Sequence, residues 1–211
     1  MWTITTNAPQ WVQFQDYKID TRMNSWIYTA PDEAAVRRFA AEEFKDDPNS
    51  QQLIDYAAYR WFNIQTHDTL LDYITTLPGC RLWPNSTDRN VDFTMDYQGK
   101  QLKVDLKLTP LLAEYRKMAA KWITVPDDAA LVKRYYEKAG IKSKRQTAEH
   151  RLYVVCYNYT CPDDSYKVKG YGEDIVRAVD AWFTNPVFYP VKVGKKTYYA
   201  GLIRVQHGLD A

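Results

Sequence analysis

Two aspartates and a lysine between Asn90 and Pro110 have the types and the spacing for metal-assisted chemistry. The segment reads NVDFTMDYQGKQLKVDLKLTP, with Asp92 before a turn and Asp105 and Lys107 after it. Two carboxylates, a backbone carbonyl and waters make a reasonable Mg²⁺ site. A lysine beside a metal orients a water or stabilises negative charge on a phosphate. The three side chains therefore have the parts for phosphodiester hydrolysis.

A hairpin is the element that must position these side chains. β-forming runs on both sides of Gln98-Gly99 predict a two-residue turn. A turn centred there sets apolar residues opposite one another, in the pairs Phe93–Val104, Met95–Leu102 and Val91–Leu106. This pattern favours the register over a one-residue slip. The same register sets Asp92 opposite Asp105, with Lys107 two residues further along on the same face.

Carboxylates directly opposite each other across a ladder repel, and Lys107 relieves that repulsion only in part. A divalent cation between Asp92 and Asp105 would reverse it. Two other interpretations stay open. The polar residues of the hairpin can form the solvated face of an ordinary amphipathic hairpin, and a three-residue loop with a glycine bulge would separate the two acids.

The pattern of Asp92, a turn and then Asp105-Leu106-Lys107 resembles the signature of the PD-(D/E)XK nuclease superfamily. That superfamily includes many restriction endonucleases, Holliday-junction resolvases and phage exonucleases. VDLK matches the second half of the signature, whereas Val91 stands where the family often has proline. The resemblance covers residues 66 to 160: a helix and a Gly-marked strand precede the signature. After Pro110, LLAEYRKMAAKWI and DDAALVKRYYEKAG predict two helices, and the apolar run LYVVCYNY follows them, although the intervening insert is long.

The resemblance implies a role for each matching residue. Asp92 and Asp105 would bind Mg²⁺, for which Mn²⁺ can substitute, with the Leu106 carbonyl as a third ligand. Lys107 would position the attacking water. Many members add an acidic residue from the preceding helix, for which Asp68 is the first choice and Asp72 the second; a solvated helix face or an N-terminal charge is the alternative for both.

The surrounding pattern predicts an α/β fold with a central mixed β-sheet flanked by helices, because helices both precede and follow the strands. The resemblance implies a restriction-endonuclease-like core. We expect one nuclease-like domain over residues 1–211, with an N-terminal arm and helix at 1–49, a core at about 50–185 and a C-terminal hairpin at 186–211.

Periodicity and breakers predict the individual elements. Residues 1–29 mix β-formers and aromatics, which favours one or two short strands or an extended arm. APDEAAVRRFAAEEF, QQLIDYAAYRWFNIQ and THDTLLDYITTLPG predict three helices, with Thr66 as a candidate cap of the third. LYVVCYNY is apolar on both faces, which predicts a central, covered strand.

The composition allows a nucleic-acid partner without requiring one. The formal net charge is only +2, and aromatic residues make up 15% of the chain, which suits both core packing and base stacking. The KSKR segment, with Lys138 before it and Arg151 after it, places Lys142, Lys144 and Arg145 where they could grip a DNA backbone. A solvated charge run is the alternative.

Three cysteines without a CxxC pair predict neither a disulfide framework nor a zinc finger, and they fit a reducing cytoplasm. The N-terminal residues lack the pattern of a signal peptide, and no apolar run approaches the length of a membrane span, so no membrane partner is expected.

These expectations combine into a Mg²⁺-dependent DNA endonuclease of the cytoplasm. By analogy, a stand-alone type II restriction enzyme is the most economical form at this length. Duplex cleavage usually needs two sites, so a homodimer is expected. One alternative is a non-catalytic nucleic-acid- or protein-binding module on the same fold. Another is an RNA-directed enzyme.

Overall fold

The structure is a computed structural model, and it describes residues 1–10, 17–85, 90–116, 125–138, 150–193 and 195–208. The helices and strands within these ranges are, in chain order, α1 (Tyr17–Met23), α2 (Glu33–Glu43), α3 (Ser50–Thr75), β1 (Cys80–Leu82), β2 (Phe93–Tyr97), β3 (Lys100–Pro110), α4 (Ala113–Arg116), α5 (Asp128–Lys138), β4 (His150–Asn158), α6 (Gly172–Thr184), β5 (Phe188–Val193) and β6 (Lys196–His207). Two short 3₁₀ helices, Pro162–Asp164 and Lys167–Gly170, connect β4 to α6.

The six described strands form one mixed sheet in the order β1-β2-β3-β4-β6-β5. β4 runs parallel to β3 and to β6, whereas the other neighbouring strands are antiparallel. The predicted α/β class with a central mixed sheet flanked by helices is therefore confirmed. β5 and β6 form an antiparallel hairpin that pairs from Val193–Lys196 outward.

The hairpin of β2 and β3 has the predicted turn, and the predicted register holds from the Phe93–Val104 pair to the turn. The ladder does not extend to the predicted pairs Asp92–Asp105 and Val91–Leu106. Gln98 and Gly99 have φ values of +50° and +75°. Positive φ at both central residues is typical of a type I′ turn, whose twist matches that of the strands. The observed pairs include Phe93–Val104 and Met95–Leu102.

β4 is the covered central strand that its apolar run predicts, because every residue from Arg151 to Asn158 is buried. Its side chains alternate between two packed layers. We call one the aliphatic face, where α6 and the end of α3 pack on the sheet; its members include Leu70, Ile74, Val104, Leu106, Leu152, Val154, Cys156, Val168, Ile175 and Val179. We call the other the tyrosine face, where α5 packs; its members include Leu131, Val132, Tyr135, Tyr136, Tyr153, Val155 and Tyr157.

The chain divides into two compact units, one of residues Thr3–Asp68 and one of Met1–Trp2 with Thr69–Ala211. The sheet and both of its packed faces belong to the second unit. The predicted single domain, with its arm, core and hairpin boundaries, stays a prediction. Among the described residues, no helix is long and apolar enough to cross a membrane.

The helical N-terminal region differs from the prediction in two places. Tyr17–Met23 is helical, so the expected strand or extended arm is wrong for that segment. The two helices predicted on either side of Thr66 form one continuous helix, α3. Thr66 does not cap a helix: its buried hydroxyl donates to the Phe62 carbonyl at 2.8 Å, one turn earlier in the same helix.

The helix predicted after Pro110 is described only over Ala113–Arg116, and its continuation lies outside the described residues. The next predicted helix is present as α5.

Candidate functional site

The side chain of Asp92 contacts strand β3. It lies just before β2, and its N–H donates to the Val104 carbonyl at 2.9 Å. Its Oδ2 accepts the N–H of Leu106 at 2.6 Å. The regular ladder begins one residue later, with Phe93 opposite Val104. Because Leu106 lies between Asp105 and Lys107 in the chain, the Asp92 carboxylate lies against the backbone of the predicted motif.

Asp105 is buried with a cation on each carboxylate oxygen. It is only 2% exposed. Its Oδ1 accepts the Nζ amine of Lys107, and its Oδ2 accepts the Nε of Arg151 at 2.5 Å. A buried carboxylate is tolerable only when it is paired and hydrogen-bonded, and these two contacts supply both requirements.

The parallel register of β3 and β4 explains why Arg151 reaches Asp105. In this register Asp105 pairs with Arg151, and Lys107 pairs with Tyr153. Paired residues on neighbouring strands project to the same face of a sheet. The contact therefore follows from strand alignment and from alternation along each strand.

Sequence reasoning missed this role, since it treated Arg151 as the flank of a basic loop. The residue is only 6% exposed and forms part of the central strand. A signal was available: a charged residue that opens an otherwise apolar, covered strand needs a partner of opposite charge.

Two tyrosines fix the guanidinium of Arg151. Its Nη1 donates to the Tyr153 hydroxyl at 3.3 Å. Its Cζ lies 5.2 Å from the ring centroid of Tyr136 and 5.8 Å from that of Tyr153, within the range of cation–π attraction. The Tyr136 hydroxyl is buried and has no hydrogen-bond partner among the described residues.

The ionisation states follow from burial and from Asp105. Burial lowers the pKa of Arg151, but the negative charge of Asp105 opposes this effect and holds that pKa above its usual value. Burial also raises the pKa of Tyr136 and of Tyr153 above the usual phenol range. We call Asp92, Asp105, Lys107, Arg151, Tyr136 and Tyr153 the cluster. At neutral pH it therefore holds a charged guanidinium between neutral phenols.

Lys107 is the accessible cation of the cluster, because its side chain is 45% exposed while that of Arg151 is buried. It is therefore the group that a divalent ion could displace from Asp105. The carboxylates of Asp92 and Asp105 are the hard oxygen ligands that Mg²⁺ prefers. No group of three or more His, Cys, Asp or Glu residues that could hold a metal occurs among the described residues, so backbone oxygens and waters would have to complete the coordination. With that completion, the donor atoms are of the kind that Mg²⁺ binds, and a Mg²⁺ site here stays a prediction.

The other predicted site residues are two acidic residues of α3 and three basic residues of the KSKR segment. Asp68 belongs to the Thr3–Asp68 unit, has a 63% exposed side chain and contacts Nδ1 of His67 at 3.1 Å. Asp72 is exposed further along α3. A ligand role for either stays a prediction. Lys142, Lys144 and Arg145 lie outside the described residues.

Comparison of the chain with models of known protein families, with curated proteins and with solved structures finds no match.

Proposed function

We propose that the protein is a Mg²⁺-dependent DNA endonuclease with a restriction-endonuclease-like core, in the manner of a type II restriction enzyme. The observation that carries the proposal is the contact between the Asp92 carboxylate and the Leu106 N–H at 2.6 Å. Through it, Asp92 meets the strand segment that bears Asp105 and Lys107. These are the three residues to which the resemblance assigns the chemistry.

The order of elements also supports the proposal. A helix, a turn at Gly79 with φ +80° and strand β1 precede the β2–β3 hairpin, and α5 and the parallel strand β4 follow it. This is the chain order that the resemblance implies. Fold alone does not determine activity, so the assignment rests on the site.

Each residue of the cluster has a task in the proposed hydrolysis. Asp92 and Asp105 would hold Mg²⁺. When bound, Mg²⁺ supplies Lewis-acid polarisation of the scissile phosphate. The amine of Lys107, which is accessible from solvent, orients the attacking water and stabilises charge that develops on the phosphate. Arg151 keeps the Asp105 carboxylate in a fixed orientation.

The test compares the wild-type protein with Lys107→Ala on plasmid, single-stranded DNA and RNA, with Mg²⁺, with Mn²⁺ and with EDTA. We expect metal-dependent cleavage of plasmid by the wild type and a loss of about 10²–10³-fold in the variant, the usual contribution of a group that stabilises developing charge. Lys107→Ala leaves Asp105 paired with Arg151, so the variant should stay folded.

Lys103→Ala is the matched control. Lys103 is an exposed lysine of the same strand, four residues earlier, and its Nζ lies 4.4 Å from the ring centroid of Trp83. Cleavage should survive this change. Cleavage by the Lys107→Ala preparation at the wild-type rate, or an inert wild-type protein on all substrates, would contradict the nuclease. Cleavage of RNA alone would favour the RNA-directed enzyme.

A non-catalytic binding module on the same fold is the second candidate, and one observation favours it. Both oxygens of Asp105 are already paired with cations of the same chain, so the cluster is neutral without a metal. A module predicts nucleic-acid or protein binding that persists in Asp105→Ala, with no cleavage by the wild type. DNA as the partner and a homodimer as the working form remain parts of the nuclease proposal.

A further inference from the structure

We infer that Arg151 makes metal binding at Asp105 depend on a phosphodiester bound at the same time. This inference rests on the proposed function, since it concerns the same Mg²⁺ site. It assigns to Arg151 a positioning and regulatory role: a fixed positive charge that weakens metal binding to the protein alone.

The two cations on Asp105 differ in how freely their side chains can move. Lys107 has a flexible, half-exposed side chain. Arg151 is buried, bonded to the Tyr153 hydroxyl and covered by the Tyr136 ring. A divalent ion that takes Oδ1 therefore displaces Lys107, whereas Arg151 stays on Oδ2.

The charge of the cluster limits how strongly a divalent ion can bind to the protein alone. Asp92 and Asp105 contribute two negative charges, and Arg151 and the nearby Lys107 contribute two positive charges, so the cluster is neutral and a bound ion of charge +2 leaves an excess of positive charge. A phosphodiester carries one negative charge, which offsets part of that excess. Because binding free energies are linked, the phosphodiester and the metal ion should each raise the affinity of the other by the same factor.

To test the role of Arg151, Mn²⁺ is titrated into the protein without nucleic acid. Binding is followed by calorimetry and by the shift of the thermal unfolding midpoint. Arg151→Met should bind Mn²⁺ at least about tenfold more tightly than the wild type, since it removes the unit positive charge that is paired with Asp105. Lys103→Met, a change at an exposed lysine of β3, should leave the affinity unaltered. Equal affinities of Arg151→Met and wild type would overturn the inference.

A second measurement applies if Arg151→Met fails to fold. The wild type is titrated with Mn²⁺ in the presence and absence of a short phosphorothioate duplex that resists cleavage. The duplex should tighten Mn²⁺ binding at least about tenfold. Asp105→Asn with the duplex reports the Mn²⁺ that the duplex itself binds. Unchanged Mn²⁺ binding after this subtraction would overturn the inference.

Failure of the inference and failure of the nuclease proposal give different results. If the wild type cleaves DNA and Arg151→Met binds Mn²⁺ no better than wild type, the nuclease stands and the role of Arg151 falls. If no substrate is cleaved but Arg151→Met gains Mn²⁺ affinity, the effect of Arg151 on the metal stands and the nuclease falls.

Discussion

Two buried cations lie on opposite faces of the central sheet, and their pKa values are shifted in opposite directions. Arg151, on the tyrosine face, is 6% exposed, and Asp105 holds its pKa above the usual value against the effect of burial. Lys169 lies beside Cys156 of the aliphatic face and is 4% exposed. Burial lowers its pKa to about 8, and the raising effect of Cys156 is smaller.

The difference shows what a partner charge does to a buried cation. The Arg151 guanidinium is charged at every physiological pH, and the carboxylate of Asp105 in direct contact offsets the cost of burying that charge, which creates a permanent ion cluster. Burial is the largest influence on the pKa of Lys169, and it moves that amine toward its neutral form. A permanent buried ion pair seldom stabilises a fold more than apolar packing would. The net contribution of the cluster on the tyrosine face to stability should therefore be small.

The largest effect should come from removing one half of the ion pair. Arg151→Met leaves Asp105 buried with Lys107 as its remaining cation, so we expect a loss of about 3–5 kcal/mol in the free energy of unfolding without metal. Urea denaturation in EDTA measures it.

The double variant Asp105→Val with Arg151→Met distinguishes the net contribution of the ion pair to stability from the cost of removing only one partner. Because both buried charges are gone, its stability should return close to that of the wild type. A double variant as unstable as the single one would mean that the ion pair itself holds the sheet together, and would weaken the distinction between the two faces.

The hairpin could be predicted from the sequence because its information is local. The positive-φ turn at Gln98-Gly99 and the apolar cross-strand pairs Phe93–Val104 and Met95–Leu102 lie within a short segment. The burial of β4 was also predictable, since its residues are apolar on both faces.

The contact between Asp105 and Arg151 could not be predicted in the same way. It depends on the parallel register of β3 and β4, strands that are joined through α5 and a long connection. Tertiary packing sets that register, and no local pairing pattern records it. The continuity of α3 escaped prediction for a related reason: a threonine hydroxyl can cap a helix or bond back to a carbonyl within it, as Thr66 does.

A smaller effect should appear in the pH dependence of stability, through Lys169. Its pKa is about 8 in the folded chain against an ordinary value of 10.5, so the unfolded chain binds more protons between these values. The contribution of Lys169 to stability should therefore rise from pH 8 to 10.5, by up to ~1.4 kcal/mol per pH unit.

Lys169→Met removes this contribution. Its advantage over the wild type in urea denaturation should be largest at pH 7.5 and should shrink by pH 9.5, because the wild type gains stability as Lys169 loses its proton. Lys103→Met, at an exposed lysine, should follow the wild-type profile. Parallel profiles of Lys169→Met and wild type would show that burial does not control this amine, and the contrast with Arg151 would fail.

The smallest effect should distinguish the two tyrosines that cover Arg151. Tyr153→Phe removes the hydroxyl that accepts Nη1 of Arg151 at 3.3 Å, so we expect a loss of about 1 kcal/mol in the free energy of unfolding. Tyr136→Phe removes a buried hydroxyl without a hydrogen-bond partner among the described residues, so stability should be unchanged or slightly higher. Both changes keep the aromatic rings and their attraction for the guanidinium. Equal losses in the two variants would mean that the Tyr136 hydroxyl also serves the ion cluster, and the cluster would then include both phenols.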